Sequence, residues 1–152
     1  MNNNLHIKKS VLSVITVLCM LSFGCENIND VGWDDIRTAA YDRETVIPVN
    51  HTVRTTDRKY IVKFDSVFTD SRCPEGVYCF WSGVAGIRFL VEDDSESRKS
   101  LDIYTLKFSH FADSATYNGL KIKLIYLDPY PSVGKKMKYD SYKAKIILSK
   151  TK

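Results

Sequence analysis

Apolar and polar residues alternate with a period of two along most of the chain from residue 45 onward. In residues 60–65, Tyr, Val and Phe alternate with Ile, Lys and Asp, and residues 85–91 place Ala, Ile, Phe and Val at every second position. Successive residues of a strand point to opposite faces of a sheet, so the alternation predicts strands with one buried and one solvated face. The same pattern recurs in residues 101–106, 120–126 and 142–148.

These alternating segments are short, turn residues separate them, and none has the period of an amphipathic helix. Parallel strands are usually buried on both faces and would not alternate so cleanly. We therefore predict an all-β fold, an antiparallel β-sandwich of six or seven strands, with a small β-barrel as the alternative. A single domain over residues 45–152 would contain it, and Pro48 predicts an edge strand or a bulge near its start.

The first 24 residues have the composition of an export signal. Lys8 and Lys9 precede an uncharged stretch, residues 11–23, which has the length of a secretory signal core and is short for a bilayer of about 30 Å. The stretch Ser22-Phe23-Gly24-Cys25 resembles the cleavage site of a bacterial lipoprotein signal. This resemblance implies cleavage before Cys25 and acylation of that cysteine, which would anchor the protein in a membrane. A plain signal peptide cut elsewhere and an uncleaved anchor are the alternatives.

Residues 25–44 are polar and predict a tether between the anchor and the domain. Glu26 stands where an Asp is associated with inner-membrane retention of Gram-negative lipoproteins, which favours the outer membrane, on its periplasmic side or at the cell surface. Loss of the signal removes Lys8 and Lys9 and lowers the formal net charge from +4 to +2. A charge this small on an exported protein does not indicate nucleic-acid binding.

Two cysteines, Cys73 and Cys79, remain once Cys19 leaves with the signal and Cys25 carries lipid. Export places them in an oxidising compartment, where disulfides form and persist. Their C-x5-C spacing matches neither zinc sites, which favour two to four intervening residues and need further ligands, nor the C-x-x-C of a redox centre. We therefore predict a disulfide that closes a short loop between two strands.

Aromatic residues surround the second cysteine in the stretch Tyr78-Cys79-Phe80-Trp81. In an extended strand Cys79 and Trp81 share one face, which predicts that Trp81 packs in the core beside the disulfide. Tyr78 and Phe80 would then point outward, and they are candidates for an aromatic platform that binds a sugar ring.

Arg72 and Tyr130 complete the set of candidate ligand-binding residues. The alternative for Arg72 is a structural contact, with Asp70 or with a carbonyl group in the loop. Tyr130 lies between two prolines in residues 127–133, which form either an exposed recognition loop or a rigid turn between strands.

Two charged clusters have both a binding and a structural interpretation. Four lysines of the last two predicted strands would form one basic sheet face, either for anionic glycans or lipid headgroups or as a solvated face that resists aggregation: Lys121, Lys123, Lys143 and Lys145. The acidic residues 92–96 would form a calcium site or a polar hairpin loop, although their spacing matches no EF-hand.

Catalytic motifs are missing from the sequence: it has no G-x-S-x-G, no H-E-x-x-H and no glycine-rich phosphate loop. Only His51 and His110 remain after removal of the signal. The sequence therefore predicts no catalytic residue, no metal site and no cofactor. A triad whose members meet only in space stays open.

Two blocks, DSRCPEGVYCFWSG in residues 70–83 and LDPYP in residues 127–131, resemble a family of small exported bacterial lipoproteins. The shared pattern is D-S-R-C-P, a short loop, C-x-W-x-G and a later strand that ends in L-x-P-x-P. The matching residues are Asp70, Ser71, Arg72, Cys73, Pro74, Cys79, Trp81, Gly83, Leu127, Pro129 and Pro131. The resemblance implies a β-rich exported domain with a Cys73–Cys79 bridge and brings no catalytic assignment.

These features together predict a non-enzymatic lipoprotein of the cell envelope that binds a glycan or an envelope protein. One alternative is an inhibitor or accessory subunit of an envelope enzyme that acts through a protruding rigid loop such as residues 127–133. The other is a hydrolase with a distributed site, which would need His110 beside a serine and an aspartate. A flat exposed row of aromatic side chains would favour the glycan.

Overall fold

The alternating segments form nine β-strands in two sheets within residues 36–151, which are the residues that the computed structural model describes. The predicted signal (residues 1–24), the predicted lipidation site Cys25 and residues 26–35 lie outside this range. In the described range no helix combines the length and the apolar character needed to cross a membrane.

The first sheet, sheet A, has five strands in the order β1-β3-β4-β5-β6. All neighbours pair antiparallel except β1 and β3, which are parallel. The strands are β1 (Arg37–Ala39), β3 (Thr52–Thr55), β4 (Tyr60–Asp70), β5 (Ala85–Asp93) and β6 (Arg98–Tyr104).

The second sheet, sheet B, has four antiparallel strands in the order β2-β9-β8-β7. They are β2 (Glu44–Pro48), β7 (Ser114–Tyr117), β8 (Leu120–Asp128) and β9 (Lys143–Lys150), and a 3₁₀ turn, Tyr139–Ser141, precedes β9. The predicted all-β sandwich is confirmed. The barrel alternative is wrong, because the described strands form two separate sheets that do not close. Pro48 ends β2 at a sheet edge, where its missing N–H removes no ladder bond.

The core lies between the sheets and is built by the residues that the alternation singles out. Phe64 of β4 and Phe89 of β5 are opposite each other, fully buried, with ring centroids 5.4 Å apart. Burial of each such side chain stabilises the fold by roughly 1.5–3 kcal/mol. Other fully buried residues, from both sheets, are Tyr60, Val62, Ile87, Ile103, Leu120, Ile122, Ile146 and Leu148.

Tyr126 departs from the alternation. The sequence places it inward with Leu124, but Tyr126 is 42 % exposed and Leu127 is buried instead. A register shift between Leu124 and Tyr126, where β8 pairs with β9, reverses the faces of the residues that follow.

The sandwich begins before residue 45, the predicted start of the domain. β1 and the first residue of β2 belong to the stretch that the sequence analysis assigns to the tether, and Ala39 is buried in the core. The physical reason is length: a strand of three residues covers too few periods to show alternation.

The two ends of the sandwich differ in character. At one end Asp70 of β4 pairs with Ala85 of β5, and we call this the aromatic end; the loops 71–84, 105–113 and 129–142 form it. At the other, the polar end, Tyr60 pairs with Asp93, beside the turns 56–59, 94–97 and 118–119. Large apolar side chains are exposed at the aromatic end, namely Phe68, Val77, Tyr78, Phe80, Trp81, Phe108, Val133 and Tyr139.

The carboxylate of Asp93 connects the two sheets at the polar end. Its Oδ1 accepts hydrogen bonds from the backbone N–H groups of Ser95 and Ser97, at 3.0 and 3.2 Å, which shapes the β5–β6 turn. Its Oδ2 accepts a 2.6 Å bond from the side-chain amide of Asn118 in the β7–β8 turn. Tyr60 adds a second link, because its hydroxyl donates to the Asn118 carbonyl oxygen.

Candidate functional site

The predicted disulfide is present: Cys73 and Cys79 are bonded, with an S–S distance of 2.07 Å. The loop that it closes is attached to the body of the domain by backbone hydrogen bonds. The backbone N–H of Glu75 donates to the carbonyl oxygen of Pro131 at 2.9 Å, and the backbone N–H of Val133 donates to the carbonyl oxygen of Glu75 at 3.3 Å. The two blocks of the family-like pattern are therefore in direct contact.

Trp81 does not pack in the core, and the prediction that it lies inward beside the disulfide is wrong. Its side chain is 51 % exposed, and residues 77–84 form no strand, so the alternation of faces does not apply to them. Tyr78 and Phe80 are exposed as predicted, and both are fully accessible to solvent. We call Val77, Tyr78, Phe80 and Trp81 the aromatic tip.

Arg72 and Asp70 form a buried bidentate ion pair at the base of the disulfide loop. The Arg72 Nε donates to Asp70 Oδ1 at 2.9 Å and Nη2 donates to Oδ2 at 2.7 Å. The side chains are only 4 % and 9 % exposed, and the hydroxyl of Tyr142 also donates to Asp70 Oδ2, at 2.8 Å. Two parallel hydrogen bonds fix the guanidinium in one plane and one orientation.

The same guanidinium joins the two sheets. Nη1 donates to the carbonyl of Leu127 at 2.6 Å, and Nη2 donates to the carbonyl of Pro129 at 2.8 Å, both at the end of β8. The Tyr130 ring lies beside it, with its centroid 5.1 Å from the guanidinium carbon. We call this network of Asp70, Arg72 and Tyr142 with the two carbonyl groups the arginine clamp.

The protonation states in the arginine clamp are fixed by its own members. Burial alone would raise the pKa of Asp70, but hydrogen bonds from Arg72 and Tyr142 and the guanidinium charge outweigh it and lower that pKa. Burial would lower the pKa of Arg72, and the bonds to Asp70 raise it instead. Burial and the hydrogen bond to Asp70 raise the pKa of Tyr142 to about 12. The clamp is thus a carboxylate, a guanidinium and a neutral phenol at neutral pH.

Gly83 allows the chain to pass close to the backbone of Ser71 and Arg72. A Cβ atom at position 83 would lie 1.9 Å from the Ser71 carbonyl oxygen, and the residue has a φ of +70°. The sequence analysis places Gly83 in the family-like pattern with Trp81, but its close contact is with the strand end before the first cysteine.

A cleft of about 190 Å³ opens beside the arginine clamp, and Arg72 is one of the residues that line it. We call it the binding cleft. Arg72 and Tyr130, both candidate ligand-binding residues, line it, whereas Tyr78 and Phe80 do not. Its other walls come from the end of the disulfide loop, the start of the β6–β7 loop and β8, through Ser82, Gly83, Thr105, Leu106, Leu124, Ile125 and Tyr126.

The cleft combines ring faces, hydroxyl groups and aliphatic walls. Tyr126 and Tyr130 contribute rings with polar tips, Ser82 a hydroxyl group, and Leu106 and Ile125 apolar surface. Its volume is below the roughly 300–1,000 Å³ of sites for drug-sized ligands, so it suits a single small group such as one sugar ring or one side chain.

Most residues of this cleft are not identifiable from the sequence. Its walls come from segments spread over more than 50 residues of sequence, and the exposure of Tyr126 depends on the bulge in β8. The one signal available in the sequence was the pairing of the two family-like blocks, which contain Arg72 and Tyr130.

Three other aromatic side chains cluster on the outer face of sheet A at the aromatic end. Phe68 and Tyr104 meet edge to face, with centroids 5.8 Å apart, and Tyr104 contacts Phe111 at 4.9 Å with planes inclined by 59°. The Phe68 ring covers Gly86 and lies 5.5 Å from the Arg88 guanidinium carbon. Because the rings are inclined to one another, they do not make a flat platform for a sugar.

The charged clusters are largely engaged in sheet structure. Lys121 and Lys123 lie on β8 opposite Ser149 and Ile147, so an apolar residue interrupts the predicted basic face, and Lys145 pairs with Glu44 at 3.2 Å. In the acidic stretch Glu92 forms an ion pair with Arg98 and Asp93 shapes the turn. Residues 36–151 contain no group of three or more His, Cys, Asp or Glu side chains that could hold a metal ion.

The histidines are far from any recognisable catalytic arrangement within the described range. His51 Nδ1 lies 3.0 Å from the Val49 carbonyl oxygen, and His110 is exposed in the β6–β7 loop. Among residues 36–151 no histidine hydrogen-bonds a serine, a cysteine or a carboxylate.

Comparison of this chain with protein-family models, curated proteins and solved structures finds no match.

Proposed function

We propose that the protein is a lipid-anchored, non-enzymatic component of the cell envelope that binds a glycan residue in the binding cleft. Its anchor would be acylated Cys25, and its place the outer membrane, on the periplasmic side or at the surface. The anchor and the location follow from the lipoprotein-like signal and from Glu26.

The observation that carries the glycan proposal is the make-up of the cleft. Tyrosine rings, a serine hydroxyl and aliphatic walls surround a space of about 190 Å³ beside a fixed guanidinium. A sugar has apolar C–H faces and many hydroxyl groups, so ring faces and hydrogen-bonding groups together suit it. Four of the five N–H donors of Arg72 are taken by Asp70, Leu127 and Pro129, which leaves one at Nη1 for a ligand oxygen.

The accessory-subunit alternative has weaker support. Residues 127–133 would have to protrude to block an enzyme, yet Tyr130 is half-buried beside Arg72, and Pro131 and Val133 are hydrogen-bonded to Glu75. The hydrolase alternative would need His110 near a nucleophile, and its position in an exposed loop gives no such support.

Glycan binding is tested with the full chain on a glycan array, followed by calorimetry on any ligand found. We expect Tyr126→Ala to weaken binding by about tenfold, since a ring–ligand contact is worth roughly 0.5–1.5 kcal/mol beyond its buried area. Tyr78→Ala is the matched control, because Tyr78 lies outside the cleft, and it should bind normally.

Two results would contradict the proposal. If Tyr78→Ala abolishes binding while Tyr126→Ala does not, the ligand site is the aromatic tip. If no glycan binds and photo-crosslinking from position 126 captures an envelope protein, the cleft holds a protein side chain instead.

A further inference from the structure

We infer that the aromatic end of the sandwich lies on an anionic phospholipid surface, with the aromatic tip in the interfacial layer of the bilayer. This goes beyond glycan binding, although it rests on the proposed lipid anchor at Cys25. Two observations carry it, the exposure of the tip and a lysine-lined groove beside it, and the length of chain between Cys25 and β1 permits it.

The aromatic tip is exposed and rigidly held. Tyr78 and Phe80 are fully exposed and Trp81 is half-exposed, on a loop closed by the Cys73–Cys79 bond and hydrogen-bonded to residues 131–133. Exposure of contiguous aromatic side chains marks an interaction surface. Tryptophan and tyrosine are enriched at the membrane–water interface, where the ring is in apolar surroundings and its polar group stays hydrated.

A groove of about 350 Å³ lies directly beside the disulfide loop, in the β8–β9 connection. Lys135, Lys136 and Lys138 line it, together with the hydroxyl-bearing Ser132 and Ser141. The three lysines are exposed, and none of them forms an ion pair with a described residue. Unpaired ammonium groups next to hydroxyl groups suit the phosphate of a lipid headgroup, and each lysine near an anionic surface contributes about 1 kcal/mol.

The groove and the tip form one surface. Ser132 pairs with Glu75 of the disulfide loop in an isolated β-bridge. A Cβ atom on Gly76 would lie 3.9 Å from the Val133 side chain, so these two segments are in contact. Val133 is itself 58 % exposed and follows Ser132, which lines the groove, so exposed apolar surface lies next to both the disulfide loop and the groove.

The length of chain between Cys25 and β1 is sufficient for the aromatic end to reach the bilayer. β1 is parallel to β3, which runs towards the Thr55–Tyr60 turn, so the start of β1 faces the aromatic end. Arg37 of β1 is aligned with Val53 of β3, which is in turn aligned with Val62 of β4. Val62 is eight residues before Asp70, so Arg37 lies about 26 Å from the aromatic end. Residues 26–35 span at most about 33–36 Å, which is enough to bring that end to a bilayer that holds Cys25.

The inference is tested by fluorescence of Trp81 in the full-length, acylated protein reconstituted into vesicles. Trp33→Phe is present throughout, so that Trp81 is the reporter. The vesicles contain phosphatidylcholine, alone or with an equal part of phosphatidylglycerol, and carry bromine on the acyl chains as a quencher. We expect bromolipid quenching of Trp81, stronger with phosphatidylglycerol.

Two sets of variants separate the apolar and the charged contributions. Tyr78→Ser with Phe80→Ser should abolish quenching in both lipids. Lys135→Gln, Lys136→Gln and Lys138→Gln together should reduce the docked-to-free ratio only with phosphatidylglycerol, by about fivefold per lysine, which is the fold-change that about 1 kcal/mol represents. The matched control is Lys99→Gln, Lys121→Gln and Lys123→Gln, which removes the same charge from exposed lysines away from the groove and should leave quenching unchanged.

Absence of quenching in the acylated protein, or equal loss in the control, would overturn the inference. Shielding of Trp81 from acrylamide only after envelope protein or polysaccharide is added would also overturn it, because the tip would then bind that partner. Mass spectrometry of the same sample reports acylation of Cys25 separately, so failure of the anchor and failure of the docking surface are distinguishable. Unchanged thermal melting of each variant confirms that the fold is intact.

Discussion

Arg72 illustrates how a charge is held inside a small β-sandwich. Removing a guanidinium from water is costly, and the cost is offset only when its donors find well-placed acceptors. Here a carboxylate and two backbone carbonyls accept four of its hydrogen bonds, and a tyrosine ring covers one face. The carbonyls of Leu127 and Pro129 thereby gain a partner at a strand end where the ladder stops.

Replacement of this residue tests its role in stability. We expect Arg72→Met to lower the free energy of unfolding by about 3–5 kcal/mol, because it leaves the Asp70 carboxylate buried without its partner. Arg98→Met is the matched control: its ion pair with Glu92 is exposed, and its loss should cost under about 1 kcal/mol. Urea unfolding followed by circular dichroism measures both, and equal effects would contradict a structural role for the clamp.

Asp93 makes the stability of the polar end depend on pH. Hydrogen bonds from Ser95 and Asn118 lower the pKa of this carboxyl to about 2, against the opposing effect of burial. An unfolded chain has a carboxyl pKa of about 3.9, so the stabilisation is complete above about pH 4 and is lost as the pH falls towards 2.

Substitution of Asp93 by asparagine should therefore flatten the pH dependence of the unfolding free energy between about pH 4 and pH 2. Asp94→Asn, at the exposed neighbouring position, should retain the wild-type profile. Chemical unfolding at a series of pH values compares the two. A wild-type slope in the Asp93→Asn protein would show that other carboxyl groups dominate in this range.

The sequence correctly predicts which side chains point into the core where the strands are long and regular. The alternation identifies the inward positions of β4, β5 and β9 because long strands with one wet face repeat the signal several times. It fails for Tyr126, where one register shift reverses the faces, and for Trp81, which is in no strand. Both errors come from assuming regular strand geometry where the backbone departs from it.

At the scale of elements, the disulfide loop is positioned by the close passage of two backbones. Gly83 runs against the carbonyl of Ser71, and this contact fixes where residues 73–82 leave the sandwich. The hydrogen bonds from Ser71 to Val84 and from Cys73 to Ser82, at 2.9 and 2.8 Å, continue the ladder of β4 and β5 up to the loop.

Gly83→Ala should therefore destabilise the protein by more than about 3 kcal/mol, since a Cβ would overlap the Ser71 carbonyl in addition to the left-handed backbone conformation. Gly134→Ala is the matched control, because Gly134 has a similar φ of +76° but no atom within 4 Å of the added carbon. It should cost only about 1–2 kcal/mol. Thermal unfolding distinguishes the two, and similar losses would mean that backbone conformation alone accounts for the effect.

Element prediction from the sequence depends on strand length. The five long alternating segments, which correspond to β4, β5, β6, β8 and β9, are visible, whereas β1 and β7, with three and four residues, are too short to show a period. The alternation also cannot show that residues 44–55 divide between the two sheets. That division depends on the turn at Asn50, whose φ is +64°.

At the scale of the whole molecule, polar networks connect the sheets at opposite ends of the sandwich. The arginine clamp connects β4 to β8 and to Tyr142, the residue before β9, and Asp93 connects the β5–β6 turn to the β7–β8 turn. β4 has eleven residues, so the networks lie about 30 Å apart. Neither end relies on the apolar core alone.

Because of this separation, we expect the effects of the two networks on stability to add. The unfolding free energy of Arg72→Met combined with Asp93→Asn should equal the sum of the single effects within about 0.5 kcal/mol. Urea titration of all four proteins at neutral pH measures this. A larger deviation would mean that the two ends are coupled through the core.

The binding cleft exists only at this largest scale, which is why the sequence did not reveal it. Ser82, Leu106 and Tyr126 belong to different loops and strands, and nothing in their local context relates them. Arg72 was a candidate from the block around the first cysteine and Tyr130 from its position between two prolines, and the arginine clamp supplies the physical link between their two segments.

One wall of the cleft cannot change freely. Arg72 bonds to residues of both sheets, so a substitution that changed this wall of the cleft would also weaken the fold. The other side of the cleft is less constrained, because three of its lining residues take no part in the clamp: Leu106, Ile125 and Tyr126. If the cleft binds a glycan as proposed, a change of ligand would therefore come from substitutions at these three positions, while the guanidinium stays in place to orient the ligand.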